Sequence, residues 1–317
     1  MIHLRRYTAD DKSLWNSFVQ ESKNGTFLFL RNFMEYHQDR FTDHSLLFFD
    51  SKDRLVALLP ANETQNNPGK TLASHERLTY GGLILSPTSS GSLPLHCIES
   101  LLAYLKQNRF QHLLYKAVPT IYHRQPAQED LYALFRHDAV LHTRGISSVV
   151  DMAHRIPLRK GRKSTAKQAL AKGITVGESA DLPAFWQILT QVLHDCHQVS
   201  PVHSLEEMQL LQSRFPEHIR LYAAYDADGR RLAGTLMYEM PHLVHAQYIA
   251  SSPEGKEMGA VDALYAWLIG ERYADKRYLD FGISTVQGGR VLNEGLVRQK
   301  EGFGARAVMY DSYSINL

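Results

Sequence analysis

The stretch IRLYAAYDADGRRLAGTLMYEMPHLVHAQYIASSPEGKEMGA, residues 219–260, decides the fold. It contains three strand-forming runs, IRLYAAY, RLAGTLMYEM and LVHAQYIA, separated by the turn signals Asp226-Ala227-Asp228-Gly229 and Pro241-His242. That spacing predicts a three-stranded meander. The glycine-bearing loop SSPEGKEMGA then leads into a helix through Ala263, Leu264, Trp267 and Leu268. Upstream, Ile174 to Ser179 reads as a strand. Asp181 can cap a helix whose Phe185, Ile188, Leu189 and Val192 recur at helical spacing. Ser204-Leu205-Glu206-Glu207 reads as a capping box opening a second helix. Downstream, RYLDFG is a strand, VLNEGLVRQKEGFG a short helix stopped by Gly302 and Gly304, and ARAVMYDSYSI a closing strand. The order is strand, helix, helix, meander, helix, strand, helix, strand.

The first half repeats this order in its elements and not in its residue identities. Ile2 to Tyr7 is a strand, and a helix carries Leu14, Trp15, Phe18 and Val19. TFLFLRNFMEYHQDRF reads as a second helix. SLLFFD and RLVALLPAN form a hairpin, and LTYGGLIL is a third strand after the polar loop ETQNNPGKTLASHE. A helix from Leu95 to Asn108, the strand HLLYKAV, the helix EDLYALFRH and the strand VLHTRGISSVVDM complete it. Two α/β domains follow, 1–152 and 153–317, each a mixed twisted sheet flanked by helices.

Composition narrows the function classes. The chain has 317 residues, 44% of them hydrophobic, with 35 basic and 33 acidic side chains. Packed cores are therefore affordable, and bulk nucleic-acid binding is not indicated. Cys97 and Cys196 lie far apart with no metal-type spacing and read as reduced core thiols. The N-terminus lacks an apolar signal region, and no run approaches the ~18 apolar residues of a membrane span, so the reading is cytoplasmic.

Several stretches taken together resemble the Fem-type transferases and related FemAB-like GNAT proteins of bacterial envelope and polysaccharide loci. They are TFLFLRNFMEYHQDRF, LLPAN, LTYGGLIL, YKAVPTIYHRQPAQEDLYALF, RKGRKSTAKQALAKGITV and DFGISTVQGGRVLNEGLVRQKEGFGAR. The resemblance implies tandem duplicated GNAT-like domains and transfer of an acyl or aminoacyl group to an amine. The implied donor is acyl-CoA or acetyl-CoA, and aminoacyl-tRNA is the alternative. A long charged insertion that could form the arm of the tRNA-dependent members is missing, which sets tRNA second. A catalytically silent GNAT-fold binding protein is the third reading. The acceptor is a small-molecule amine, with no metal required.

Amide formation needs a neutral amine, an activated carbonyl, donors for the oxyanion and a proton for the leaving group. The resemblance makes Ser252–Ala260 a phosphate loop, with Gly255, Lys256 and Gly259 as cofactor contacts. Glu254 and Glu257 have the wrong sign for phosphate, and an ordinary turn fits as well. Gln247 and Tyr248 precede it on the strand whose backbone meets the acyl group in GNAT folds. The basic run from Arg155 to Lys172, with Arg159 and Lys163 as donor-phosphate candidates, suits a phosphate-bearing ligand or a solvated helix face. His203 near a helix start is a candidate base. Lys300 is an expected oxyanion or phosphate partner, Glu294 and Asp280 are expected to accept the amine proton, and Tyr310 is a candidate acid. Asn293 lies beside them. In the first half, Tyr80, Lys116, Tyr122, His123 and Arg124 are expected to line the acceptor side of an interdomain cleft.

Overall fold

The computed structural model describes residues 2–317, apart from the side chains of Cys196 and His197. The chain divides into two compact units. The first holds Met1–Gly145 with Thr285–Val291 and Met309–Leu317, and the second Ile146–Ser284 with Leu292–Val308. The cut expected after residue 152 thus falls at Gly145/Ile146, inside the Val140–Asp151 strand, and two late segments return to the first unit. The stretch 153–157, at which the boundary was expected, is an exposed segment ahead of the basic helix.

In the second unit the meander forms as read. Thr175–Ser179, Ile219–Tyr225, Arg231–Glu239 and Leu243–Ser251 pair antiparallel in turn. Leu243–Ser251 then pairs parallel with Tyr278–Ile283, which pairs antiparallel with Val140–Asp151. Helices Lys160–Ala171, Leu182–His197, Leu205–Arg214, Ala260–Trp267 and Glu294–Glu301 accompany this sheet. Both cap readings hold: Asp181 accepts from the Ala184 amide, and Ser204 and Glu207 form the capping box. The core runs through Tyr222, Met237, Leu264, Tyr265, Phe281 and Phe303.

In the first unit, His3–Arg6, Leu46–Phe49, Leu55–Leu59 and Ile84–Leu85 pair antiparallel in that order. The final strand pairs with His112–Lys116, which runs parallel to Thr71–Ala73. Here the sequence reading needs correction. LTYGGLIL contributes a strand only at Ile84–Leu85, where it pairs with the hairpin as expected, and an additional strand lies inside the supposed polar loop, at Thr71–Ala73. A Cβ on Gly81 would sit 1.9 Å from the Ser74 carbonyl oxygen, and Gly82, at φ +83°, lies against the Tyr115 hydroxyl. These glycines exist for close approach, and the strand propensity around them is overridden. TFLFLRNFMEYHQDRF forms short helical turns, with Arg31–Met34 as α-helix. Cys97 is buried, which pushes its thiol up to about 12 and leaves it inert. Cys196 lies outside the described side chains.

Candidate functional site

The chemistry-bearing residues of the second unit gather where two strands part. Leu243–Ser251 and Tyr278–Ile283 share three register positions, Leu243↔Tyr278, Val244↔Leu279 and His245↔Asp280, and then pairing stops. The longer arm carries a bulge: Leu236 faces Tyr248 and Met237 faces Ala246, so Gln247 has no opposite number. The Gln247 Oε1 is buried without a hydrogen-bond partner.

At the fork, Asp280 is fully buried. Its carboxylate accepts from the Ser147 hydroxyl, from the Gly282 amide at 2.9 Å, and from His245 Nδ1 at 2.7 Å. A carboxylate so engaged holds its neighbours in place, which corrects the expectation that Asp280 takes the amine proton. It also fixes a tautomer: with the proton on Nδ1, a neutral His245 carries its lone pair on Nε2. His245 and Ser147 were missed in the sequence. The only signal was a histidine interrupting an apolar strand, because the parallel register that sets it beside Asp280 has no sequence spacing.

Lys300 is buried, and its ammonium donates to the carbonyls of Gly282 (2.8 Å) and Ile283 (3.1 Å) and to Ser284 Oγ (2.9 Å). Burial lowers its pKa to about 8, opposed by the charge of Asp280. All three of its donors are engaged, so Lys300 ties the Glu294–Glu301 helix to the end of the shorter arm instead of presenting a proton to an oxyanion. Glu294 and Asn293 are exposed; Asn293 Oδ1 caps that helix through the Leu296 amide at 3.0 Å.

Two residues named separately in the sequence come together on the longer arm. His203 Nδ1 and the Tyr248 hydroxyl lie 2.7 Å apart, and Trp186 packs edge-on against Tyr248. Burial raises the Tyr248 pKa, which keeps the phenol protonated. Thr235 beside them donates to the Tyr248 carbonyl oxygen at 3.0 Å.

The expected phosphate loop is mostly helix. Pro253–Met258 forms an α-helix with Ser252 Oγ capping the Gly255 amide at 3.0 Å. Ser-Pro-Glu is a helix-start signal, so this was legible. A Cβ on Gly255 would meet the Leu232 carbonyl oxygen at 2.3 Å, and one on Gly259 would meet Thr165 Cγ2 of the basic helix at 2.4 Å. Both glycines serve packing, and Thr165 lies over the start of the Ala260–Trp267 helix. Lys256 is exposed. The KEGFG segment places the basic helix. The Arg159 amide donates to the Gly302 carbonyl at 2.9 Å, and a Cβ on Gly304 would meet the Ile156 carbonyl oxygen at 2.2 Å. Arg162 holds both oxygens of Asp262 at 2.9 Å and lies over the Phe303 ring. Lys163 is exposed.

The first-unit candidates have internal partners. Tyr80 and Tyr122 are core residues, with rings 4.3 Å apart, and Tyr80 donates to Thr26 Oγ1. Tyr310 belongs to this unit and donates to the Tyr122 hydroxyl at 2.9 Å. Lys116 donates to the carbonyls of His75, Glu76 and Leu78. Burial lowers its pKa to about 8. One His123 nitrogen, Nε2, lies 2.9 Å from the Val118 carbonyl oxygen, and Arg124 donates to the Gln20 carbonyl. A ligand-lining role for Tyr80 and Tyr122 is therefore corrected to core packing. Among the described residues no group of three or more His, Cys, Asp or Glu could hold a metal, and no helix is long and apolar enough to cross a membrane.

No family model matches the chain, and no curated protein sequence matches it. Solved structures do. A structure described as FemX superposes with a TM-score of 0.69 at 12% identity, over 99% of this chain and 97% of that one. L-PGS from Bacillus licheniformis gives 0.63 at 13% identity, over 98% and 92%. A tandem GNAT protein from the clavulanic acid biosynthesis pathway gives 0.54 at 10% identity, over 100% and 98%. Identities this low establish architecture and leave function to the site. The chain thus has the fold of FemX and of tandem GNAT proteins, a duplicated GNAT-like α/β architecture, and the resemblance read from its sequence holds at that level.

Proposed function

We propose that the second unit carries out N-acyl transfer, moving an acyl group from acyl-CoA to the amine of a small acceptor such as an amino sugar, amino lipid or amino acid. One observation carries this reading: the parallel strands part beyond His245 and Asp280, beside a bulge with an unpartnered Gln247 amide oxygen. A gap between strand arms exposes main-chain donors to a carbonyl, which is what amide-forming chemistry needs. In the step, the amine nitrogen bonds to the acyl carbon, the carbon–sulfur bond breaks, and the amine proton passes to His245 Nε2. His245 is held for this by Asp280. The thiolate leaves and takes the phenol proton of Tyr248; His245 then releases the amine proton to solvent, and Tyr248 regains one from solvent by way of its hydrogen bond to His203. Lys300 positions the shorter arm.

A second donor, aminoacyl-tRNA, gains support from Thr165 over Gly259. That contact covers the helix start expected to take the pyrophosphate of coenzyme A. Its step is the same with a carbon–oxygen bond broken. The test supplies acetyl-CoA, longer acyl-CoAs and aminoacylated tRNA, each with glucosamine or an amino acid as acceptor. Thiol release or deacylation that depends on the acceptor and is lost in His245→Gln supports the proposal. Absence of acceptor-dependent release with every donor rejects it.

A further inference from the structure

We infer that a recess in the second unit, apart from the strand fork, is a binding site for a phosphodiester or diphosphate group. It rests on the acyl-transfer reading only for the identity of the molecule that carries the phosphate. The recess is an open hollow of about 500 Å³ between the start of the Lys160–Ala171 helix and one side of the Glu294–Glu301 helix, with Asp262 also in its wall. Three arginines line it: Arg159 and Arg162 from one helix and Arg298 from the other.

Their pairing differs in a way that matters. Arg162 is held by Asp262 through both carboxylate oxygens, and Phe303 lies under its guanidinium. It is a fixed wall. Arg159 makes one exposed contact with Glu301 at 3.2 Å, an ion pair of little worth that a ligand can displace. Arg298 has no ion-pair partner among the described residues. Arg159 and Arg298 are thus two cations available to one recess, and arginine matches phosphate oxygens with a planar fork of donors.

The glycines give an independent argument. Gly255, Gly259 and Gly304 are all required by close packing. Gly161 and Gly295 are not: a Cβ on Gly161 would meet nothing within 4 Å, one on Gly295 only Asn293 Oδ1 at 3.6 Å, and neither has a positive φ. Both lie in a helical first turn, where neither packing nor backbone conformation calls for glycine, and both line the recess. Bare backbone at these two points lets a ligand approach the amides. The basic helix also breaks the usual rules for a helix start. Its N-cap is Arg159 with no side-chain cap, its first turn has no acidic residue, and Lys160, Arg162 and Lys163 crowd the positive end of the helix dipole. An anion in the recess offsets all of these local costs, and such clustered violations mark sites more often than accidents.

The test uses the full chain and three probes: inorganic pyrophosphate, coenzyme A, and an RNA minihelix ending in CCA. Binding is measured by calorimetry at about 50 and 200 mM salt. The double variant Arg159→Ala/Arg298→Ala should weaken the binding probes about tenfold or more and flatten the salt dependence by about one unit of slope per arginine. Gly161→Ala should raise the Tm slightly while weakening binding, an opposition that a merely structural glycine would not produce. Binding of coenzyme A without RNA, or of RNA without coenzyme A, supports the site and identifies the carrier. Failure of all three probes, or double-variant affinities equal to wild type, overturns the recess. Loss of acyl transfer with phosphate binding intact counts against the proposed function and leaves the recess standing.

Discussion

Each unit contains a pair of parallel strands that shares three register positions and then parts, with a desolvated lysine at the parting. In the first unit, Thr71–Ala73 runs beside His112–Leu114, and Lys116 reaches across to the carbonyls of His75, Glu76 and Leu78. The lysine sits on one arm and grips the continuation of the other. The Gly81 amide, donating to the Lys116 carbonyl, adds a further stitch. In the second unit, Lys300 comes from a later helix and grips Gly282, Ile283 and Ser284, all at the end of one arm. One fork is laced shut by its lysine and the other has a single arm braced. The same residue type and the same backbone device therefore serve closure in one copy and positioning in the other. Under the proposed function, this difference explains why the catalytic candidates collect in the second unit.

The comparison can be broken most sharply at Asp280. Asp280→Ala leaves Ser147, the Gly282 amide and His245 without their shared acceptor in a buried place, and should cost about 4 kcal/mol. Chemical denaturation reads this directly, and a loss below about 1 kcal/mol would mean that the network does not hold the fork.

The two lysines give the next largest effect. A lysine whose folded pKa is near 8 against an ordinary 10.5 binds fewer protons folded than unfolded between those values, so its contribution to stability rises with pH across that window. The rise is up to about 3 kcal/mol per lysine, and it should vanish in Lys116→Met and in Lys300→Met. The variants should part company in function. Lys116→Met should lose stability with little change in turnover per folded molecule, whereas Lys300→Met should lower turnover far more than stability. Equal behaviour of the pair would erase the distinction between the forks.

The smallest expected effect is at Tyr248. Tyr248→Phe removes the bond to His203 and should cost about 1 kcal/mol in stability. It should also slow transfer more for donors with poor leaving groups than for activated thioesters. Uniform slowing would count against Tyr248 as the proton donor.

The second unit was legible almost element by element, because its strands alternate and its helices carry local start signals at Asp181 and Ser204. The first unit was less so. Thr71–Ala73 is three residues long and becomes a strand through a partner some 40 residues away. LTYGGLIL has strand-like composition, yet its glycines are committed to contacts with Ser74 and Tyr115. Among the candidate residues, Asp280, His203, Tyr248 and Lys300 were named from type and neighbourhood. Their roles were not, since each role is defined by its hydrogen-bond partners.

The sequence by itself determined the element order of the second unit, the duplicated α/β plan and the concentration of positive charge on one helix start, because periodicity, capping and charge are local and survive in a linear string. Tertiary structure alone decided that His245 faces Asp280, that two lysines of like environment do unlike work, and that Thr165 covers Gly259. Those facts arise from strand register and helix packing, where residues far apart in the chain meet at ångström distances that no spacing rule encodes.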